Sequence, residues 1–257
     1  MNAYRDDLSY IHDVGFGGFP KSAAEGLLKI LGQAGITKGV IVDLGCGSGI
    51  WAQKLSDAGY EVWGFDLSPA MIRIARKRVP GGKFQTGSYL KVTLPPCDAV
   101  TSLGECFNYR FDEKNNLRGL FRLFRRVYTA LRPGGLFLFD MAGPGRGNVP
   151  PSRYWEGKGW AILVSVVEDA RKKQLTRRIT TFRKSGRLYR RDQETHRLQL
   201  FERSEIKKQL RQAGFSVRSL PSYGRLPLPK SCFAFMACKP CPATSLSRRR
   251  AVEVSSS

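Results

Sequence analysis

At 257 residues with 42% apolar side chains, the chain fits one domain with a large core. No run approaches the roughly 18 consecutive apolar residues of a membrane-spanning helix, and Asp6, Asp7 and Asp13 occupy the start where a secretory leader needs an apolar stretch, so no membrane partner and a cytoplasmic location are expected. The net charge of +22 is unevenly placed: residues 1–143 hold 18 Lys and Arg against 13 Asp and Glu, and residues 144–257 hold 25 against 8, which admits an anionic substrate or a nucleic acid beside the plainer, favoured reading of a solvated arginine-rich surface.

Residues 1–20, aromatic and glycine-rich over 10–19, read as an N-terminal flap. Ser22, Ala23, Ala24 and Glu25 form a capping box, and Leu27, Leu28, Ile30, Leu31 and Ala34 follow at helical spacing until Gly35. Val40, Ile41 and Val42 make a first strand, residues 50–58 a helix stopped by Gly59, and residues 62–65 a second strand ending on Asp66. Ser68 caps the next helix and Pro69 occupies its first turn. Residues 83–85 are a short third strand and 98–102 a fourth. Leu117, Leu120, Phe121, Phe124, Val127, Tyr128 and Leu131 line one face of a helix whose other face carries Arg118, Arg122, Arg125 and Arg126, and residues 136–139 make a fifth strand.

Strands alternating with helices in this way predict an α/β fold: a Rossmann-like doubly wound sheet, mostly parallel, with the ligand crevice at the carboxyl ends of its strands. Beyond Gly143, Pro144 and Gly145 the rhythm changes. Residues 160–167, 175–182 and 188–201 read as three strands of an antiparallel β insertion packed over the crevice. Ser204 then caps a helix to Ala213, and residues 216–219 and 232–239 return to the sheet, the last strand antiparallel. The expected organisation is a flap over 1–20, a cofactor-binding core over 21–143, an insertion over about 144–200, a C-terminal helix and strands over 201–240, and a disordered tail over 241–257.

The chemistry starts in Val40 to Gly49, where an apolar strand runs through Asp43 into Gly45, Cys46, Gly47, Ser48 and Gly49. Glycines at a strand end let a ligand lie against bare backbone, and an acid closing the next strand, Asp66, suits two ribose hydroxyls. A dinucleotide loop needs glycine where Ile50 stands, and no Lys-Ser or Lys-Thr completes a phosphate loop. Asp43 would repel phosphate but suits a cationic ligand. S-adenosylmethionine is such a ligand, with a sulfonium, an α-ammonium and no phosphate.

With Leu131, Arg132, Pro133, Gly134 and Gly135 leading into the fifth strand, these motifs resemble the class I S-adenosylmethionine-dependent methyltransferases, specifically over residues 20–142 and in general shape over 200–239. The resemblance implies that Asp43, Gly45 and Gly47 hold the methionine moiety, Asp66 the ribose, and Leu67 and Met71 the adenine. Cys46, Gly49, Tyr89 and Leu103 complete the implied cofactor site. Where the family frequently has an acid for the adenine amino group this chain has Ser88, so that contact falls to its hydroxyl or is not made.

For catalysis the segment after the fourth strand offers Glu105, Cys106, Asn108 and Tyr109. Glu105 is the first candidate for proton removal or for holding the cofactor ammonium, and His12 in the flap is a second base. His196 alternates with strand residues and reads as structural. Pro95 and Pro96 precede the fourth strand rather than follow it, which argues against exocyclic methylation of a nucleic acid base. Cys106 lacks the preceding proline of a carbon-5 nucleophile. Cys238 and Cys241 form a lone C-x-x-C without a second pair, so no metal is expected and all six cysteines read as reduced thiols. The expectation is methyl transfer from S-adenosylmethionine to an oxygen or nitrogen of a small molecule, anionic in one version. An RNA methyltransferase using the basic half and a non-catalytic cofactor-binding or partner-binding protein are the alternatives.

Overall fold

The structure is a computed structural model that describes residues 4–242, so the expected tail lies, beyond Cys241 and Pro242, outside the described residues. Two helices open the chain, α1 (Asp6–Gly15) and α2 (Gly18–Gln33). An alternating unit follows: β1 (Val40–Leu44), α3 (Ile50–Asp57), β2 (Glu61–Asp66), α4 (Pro69–Arg78), β3 (Lys83–Thr86), β4 (Cys97–Ser102), α5 (Leu117–Ala130) and β5 (Leu131–Ala142). Four strands come next, β6 (Ser152–Gly157), β7 (Trp160–Asp169), β8 (Gln174–Ser185) and β9 (Leu188–Gln199). The chain closes with α6 (Arg203–Gln212), β10 (Ser216–Leu220), a two-stranded hairpin of β11 (Ser222–Tyr223) and β12 (Leu226–Pro227), and β13 (Cys232–Cys238).

One seven-stranded sheet runs β10-β13-β5-β4-β1-β2-β3. The β1, β2, β3, β4 and β5 pairings are parallel, and β13 pairs antiparallel with both β5 and β10. Apolar residues on both faces of β5 explain the double winding. Phe137 and Phe139 join Phe124 of α5 and Leu210 of α6 on one face, whereas Leu136 and Leu138 join Leu27 of α2, Trp51 of α3 and Ile72 of α4 on the other. The second sheet, β6-β7-β8-β9, is wholly antiparallel and forms the expected insertion.

Four local expectations are corrected. The segment over 1–20 is not a loose flap: beyond the undescribed residues 1–3 it is mostly helical, because Leu8 and Ile11 bury against Trp160, Ile162 and Ile179 of the insertion. Ser22 and Glu25 make no capping box, since α2 begins at Gly18 with Pro20 tolerated in its first turn. The insertion has a fourth strand, β6, which gains its ladder only by pairing with β7. Helix α6 starts at Arg203 with Glu202 before it, which puts Ser204 inside the helix rather than at its cap.

Candidate active site

Gly45 and Gly47 have φ of 74° and 52°, left-handed values that disfavour any side chain. A Cβ on Gly45 would come 2.6 Å from Cys106 Sγ, so the loop after β1 and the segment after β4 are fitted to each other through a bare backbone. Three carboxylates gather at the carboxyl ends of the sheet. Asp66 accepts from Gly47 N at 2.9 Å and Ser68 N at 2.8 Å, which fixes its orientation. Asp43 accepts from Thr101 Oγ1 at 2.9 Å, and that hydroxyl in turn accepts from Trp51 Nε1 at 3.1 Å. Asp140, at the end of β5, accepts from Gly104 N and Glu105 N and from the Tyr223 hydroxyl.

Among the described residues no cationic side chain bonds to any of these three acids. Burial therefore dominates: it pushes Asp43 up to about 7 and Asp140 up to about 6, and raises Asp66 as well. They border one end of a cavity of about 480 Å³. Its other end is built from α1, the segment after β4 and the inner face of the insertion, and carries Tyr4, Tyr109, Arg153, Trp155 and Arg177.

Glu105 lies between the two ends with φ of 62°, held there because its N–H and that of Gly104 both donate to Asp140. Its carboxylate accepts from Arg146 Nε at 2.6 Å and Arg177 Nη2 at 2.8 Å. Burial pulls the carboxyl pKa upward, but Arg177 and Arg146 outweigh that and hold it below the usual range. A carboxylate so paired is a weak proton acceptor and a strong anchor for two guanidiniums. Arg177 also donates to the Tyr109 hydroxyl at 3.0 Å, which lies 3.2 Å from the Tyr4 hydroxyl.

Burial lowers the His12 imidazolium to about 4, so the ring is neutral at physiological pH, and its Nδ1 has no hydrogen-bond partner among the described residues. His196 Nε2 lies 2.9 Å from Glu194 Oε2, whereas its Nδ1 is buried without a partner among the described residues. The structural reading of His196 accounts for one ring nitrogen only.

The cavity brings together Asp43, Gly45, Cys46, Gly47, Asp66, Leu67, Met71, Tyr89, Leu103, Glu105 and His12. Ser88 and Gly49 fall outside its lining. Ser88 Oγ donates to Asp112 Oδ2 at 2.7 Å, and Gly49 is the left-handed residue before α3, packed against Ala75 of α4. Sequence reasoning missed Tyr4, Asp140, Arg146, Arg153 and Arg177. For Arg177 a signal existed: it alternates with Leu175 and Ile179, and the period of two turns all three to the same face.

Residues 18–220 match a family described as a methyltransferase domain. The chain belongs to this methyltransferase family. The Bacillus subtilis (strain 168) protein YqeM is 28% identical to the methyltransferase over 197 residues, which cover 70% of this chain and 74% of YqeM. Among solved structures, an S-adenosylmethionine-dependent methyltransferase from Clostridium acetobutylicum ATCC 824 superposes with a TM-score of 0.77 at 18% identity, covering 91% of this chain and 98% of its own. The sugar N-methyltransferase KedS8 from Streptoalloteichus sp ATCC 53650 does so at 0.76 and 19%, covering 93% and 97%. Both likenesses are of fold. S-adenosylmethionine is the cofactor of the methyltransferase. The acidic end fits it, since buried carboxylates with no side-chain cation beside them are complementary to a sulfonium and an ammonium.

Proposed function

We propose that the methyltransferase methylates an oxygen or nitrogen of a small molecule that carries an anionic group, with Asp43 facing the cofactor's charged end and Asp66 its ribose. The observation that supports the anionic acceptor is Arg153. It borders the cavity, its Nε is buried without a partner, it has no carboxylate partner among the described residues, and its guanidinium lies 5.3 Å from the Trp155 ring. Arg146 and Arg177 share the single Glu105, so this end of the cavity carries an excess of positive charge in a poorly solvated space. An acceptor carboxylate or phosphate would complete Arg153, and Trp155 would pack its apolar body.

In this reading Glu105 orients Arg146 and Arg177 rather than moving protons. Bound S-adenosylmethionine supplies the electrophilic methyl carbon, and the cavity walls supply proximity and exclude water. All six cysteines are unpaired, which fits a reducing compartment such as the cytoplasm.

Calorimetry and a release assay test the proposal. S-adenosylmethionine should bind to the wild-type chain, and Asp66→Ala should weaken it by about 10- to 100-fold, the worth of hydrogen bonds to a charged group. Over a panel of small acceptors, S-adenosylhomocysteine should be released fastest from those bearing carboxylate or phosphate. Arg153→Gln should raise KM for these with less effect on kcat. Absence of cofactor binding, or equal turnover of neutral acceptors with Arg153→Gln silent, would sink the reading.

A further inference from the structure

Glu194, His196 and Leu198 alternate on the buried face of β9, which places the His196 imidazole on the cavity wall at 1% exposure. Glu194 accepts three donors at once. Tyr4 N lies 2.9 Å and Arg5 N 2.8 Å from its carboxylate, and His196 Nε2 lies 2.9 Å away. A carboxylate in this position only accepts, so the proton of the neutral imidazole belongs on Nε2. Nδ1 is then a bare lone pair, and it is the atom left without a partner.

The groups facing the ring are Glu194 on its own strand, Arg177 directly opposite on β8, Tyr109 from the segment after β4, and Tyr4 and His12 from the start of the chain. Arg177 is already engaged by Glu105 and Tyr109, which leaves Glu194 as the direct ionic partner of His196. The Tyr4 ring lies 4.8 Å from that of His196 and 5.3 Å from that of His12. Tyr4 is fixed in place: φ is 50°, and its carbonyl accepts from both Ser9 and Ser68.

We propose that His196 is the general base of the methyl transfer and that Glu194 holds it in the proton-accepting tautomer. The inference rests on the small-molecule reading above. The acceptor's lone pair forms the new bond to the methyl carbon, the electrons of the broken carbon–sulfur bond stay on sulfur, and the acceptor's proton passes to Nδ1. The imidazolium so formed is stabilised by Glu194 and afterwards returns its proton to water. His12 does not share this design. Among the described residues no carboxylate is bonded to its ring, and burial disfavours its charged form.

The chain has two histidines, so NMR of isotopically labelled histidine resolves both rings, with His12→Asn and His196→Asn assigning them. The Nε2–H tautomer with a bare Nδ1 is expected for His196. A proton on Nδ1 and a bare Nε2 would overturn the proposal, whatever the acceptor. With any acceptor that supports turnover, His196→Asn should lower kcat on the order of 100-fold or more and change the pH profile of kcat. Glu194→Gln should lower kcat in the same direction, and both variants should keep the wild-type affinity for S-adenosylmethionine. An unchanged kcat and pH profile in His196→Asn would also overturn it. Loss of cofactor binding by the wild-type chain would instead remove the methyl-transfer reading beneath it.

Discussion

Asp43 shows how much of the site a single residue can announce. Its expected role follows from position: an acid at the junction of strand and glycine turn has neighbours close in sequence, and in the proposed reading the cofactor would meet the same turn. The relay behind it, Trp51 to Thr101 to Asp43, sets its oxygen without supplying charge. Its pKa is raised from 3.8 to about 7, so in the free protein this group favours the folded state below about 4 and loses that contribution as pH rises toward 7. A cation requires the ionised form, so cofactor affinity should climb with pH, by up to about tenfold per unit, and level off above 7. Titrations in buffers of different ionisation enthalpy should detect proton release on binding below pH 7, and Asp43→Asn should reduce both effects, leaving the share carried by Asp140 and Asp66. Arg177 was less legible than Asp43. Its alternation with Leu175 and Ile179 faces inward, yet only the fold shows that Glu105, distant in sequence, waits there to neutralise it.

At the scale of elements, those with their own hydrophobic period were readable and those stabilised by a distant partner were not. Helix α5 declares itself through one apolar face, whereas β6 carries Arg153, Tyr154, Trp155 and Glu156 in a short stretch and forms a strand because β7 pairs with it. The hairpin of β11 and β12 was invisible for the same reason, although it matters to the site. It packs on α2 where Gly26 faces it, and a Cβ on Gly26 would lie 2.4 Å from the Tyr223 carbonyl carbon and 2.5 Å from Gly224 N. Backbone on both sides leaves nothing flexible to yield. Gly26→Ala should therefore cost about 1–3 kcal/mol or more and lower Tm by several degrees in a thermal melt. An unshifted melt would mean that the hairpin moves freely. Because Tyr223 also donates to Asp140, the displacement should reach the peptide units of Gly104 and Glu105.

Across the whole molecule, α1 ties the insertion to the cofactor core. Asp7 pairs with Arg183 and Arg190 of the insertion, and Arg5 pairs with Asp192. On the other side Asp6 pairs with Arg73 and Asp13 with Arg78, both on α4. These contacts span most of the chain in sequence, which is why a glycine-rich start read as a loose flap and not as a bridge. They also engage arginines of the basic half internally, which reduces the free positive surface that a phosphate platform needs. Of these pairs only Asp6–Arg73 is exposed on both sides and weakens readily with salt, whereas Asp7 is buried and its pairs are screened much less. Asp7→Asn should speed amide exchange in α1, and added salt should do so only weakly in the wild-type chain, while β4 and β5 stay protected. Uniform protection in α1 would show that Leu8 and Ile11 alone hold it. The cavity beneath this bridge has a tryptophan at each end, Trp51 beside the acid relay and Trp155 beside Arg153. The protein therefore carries its own optical gauge. With Trp63 and Trp160 replaced by Phe, keeping only Trp51 or only Trp155 should let emission follow the acidic part of the cavity and the part beside Arg153 separately.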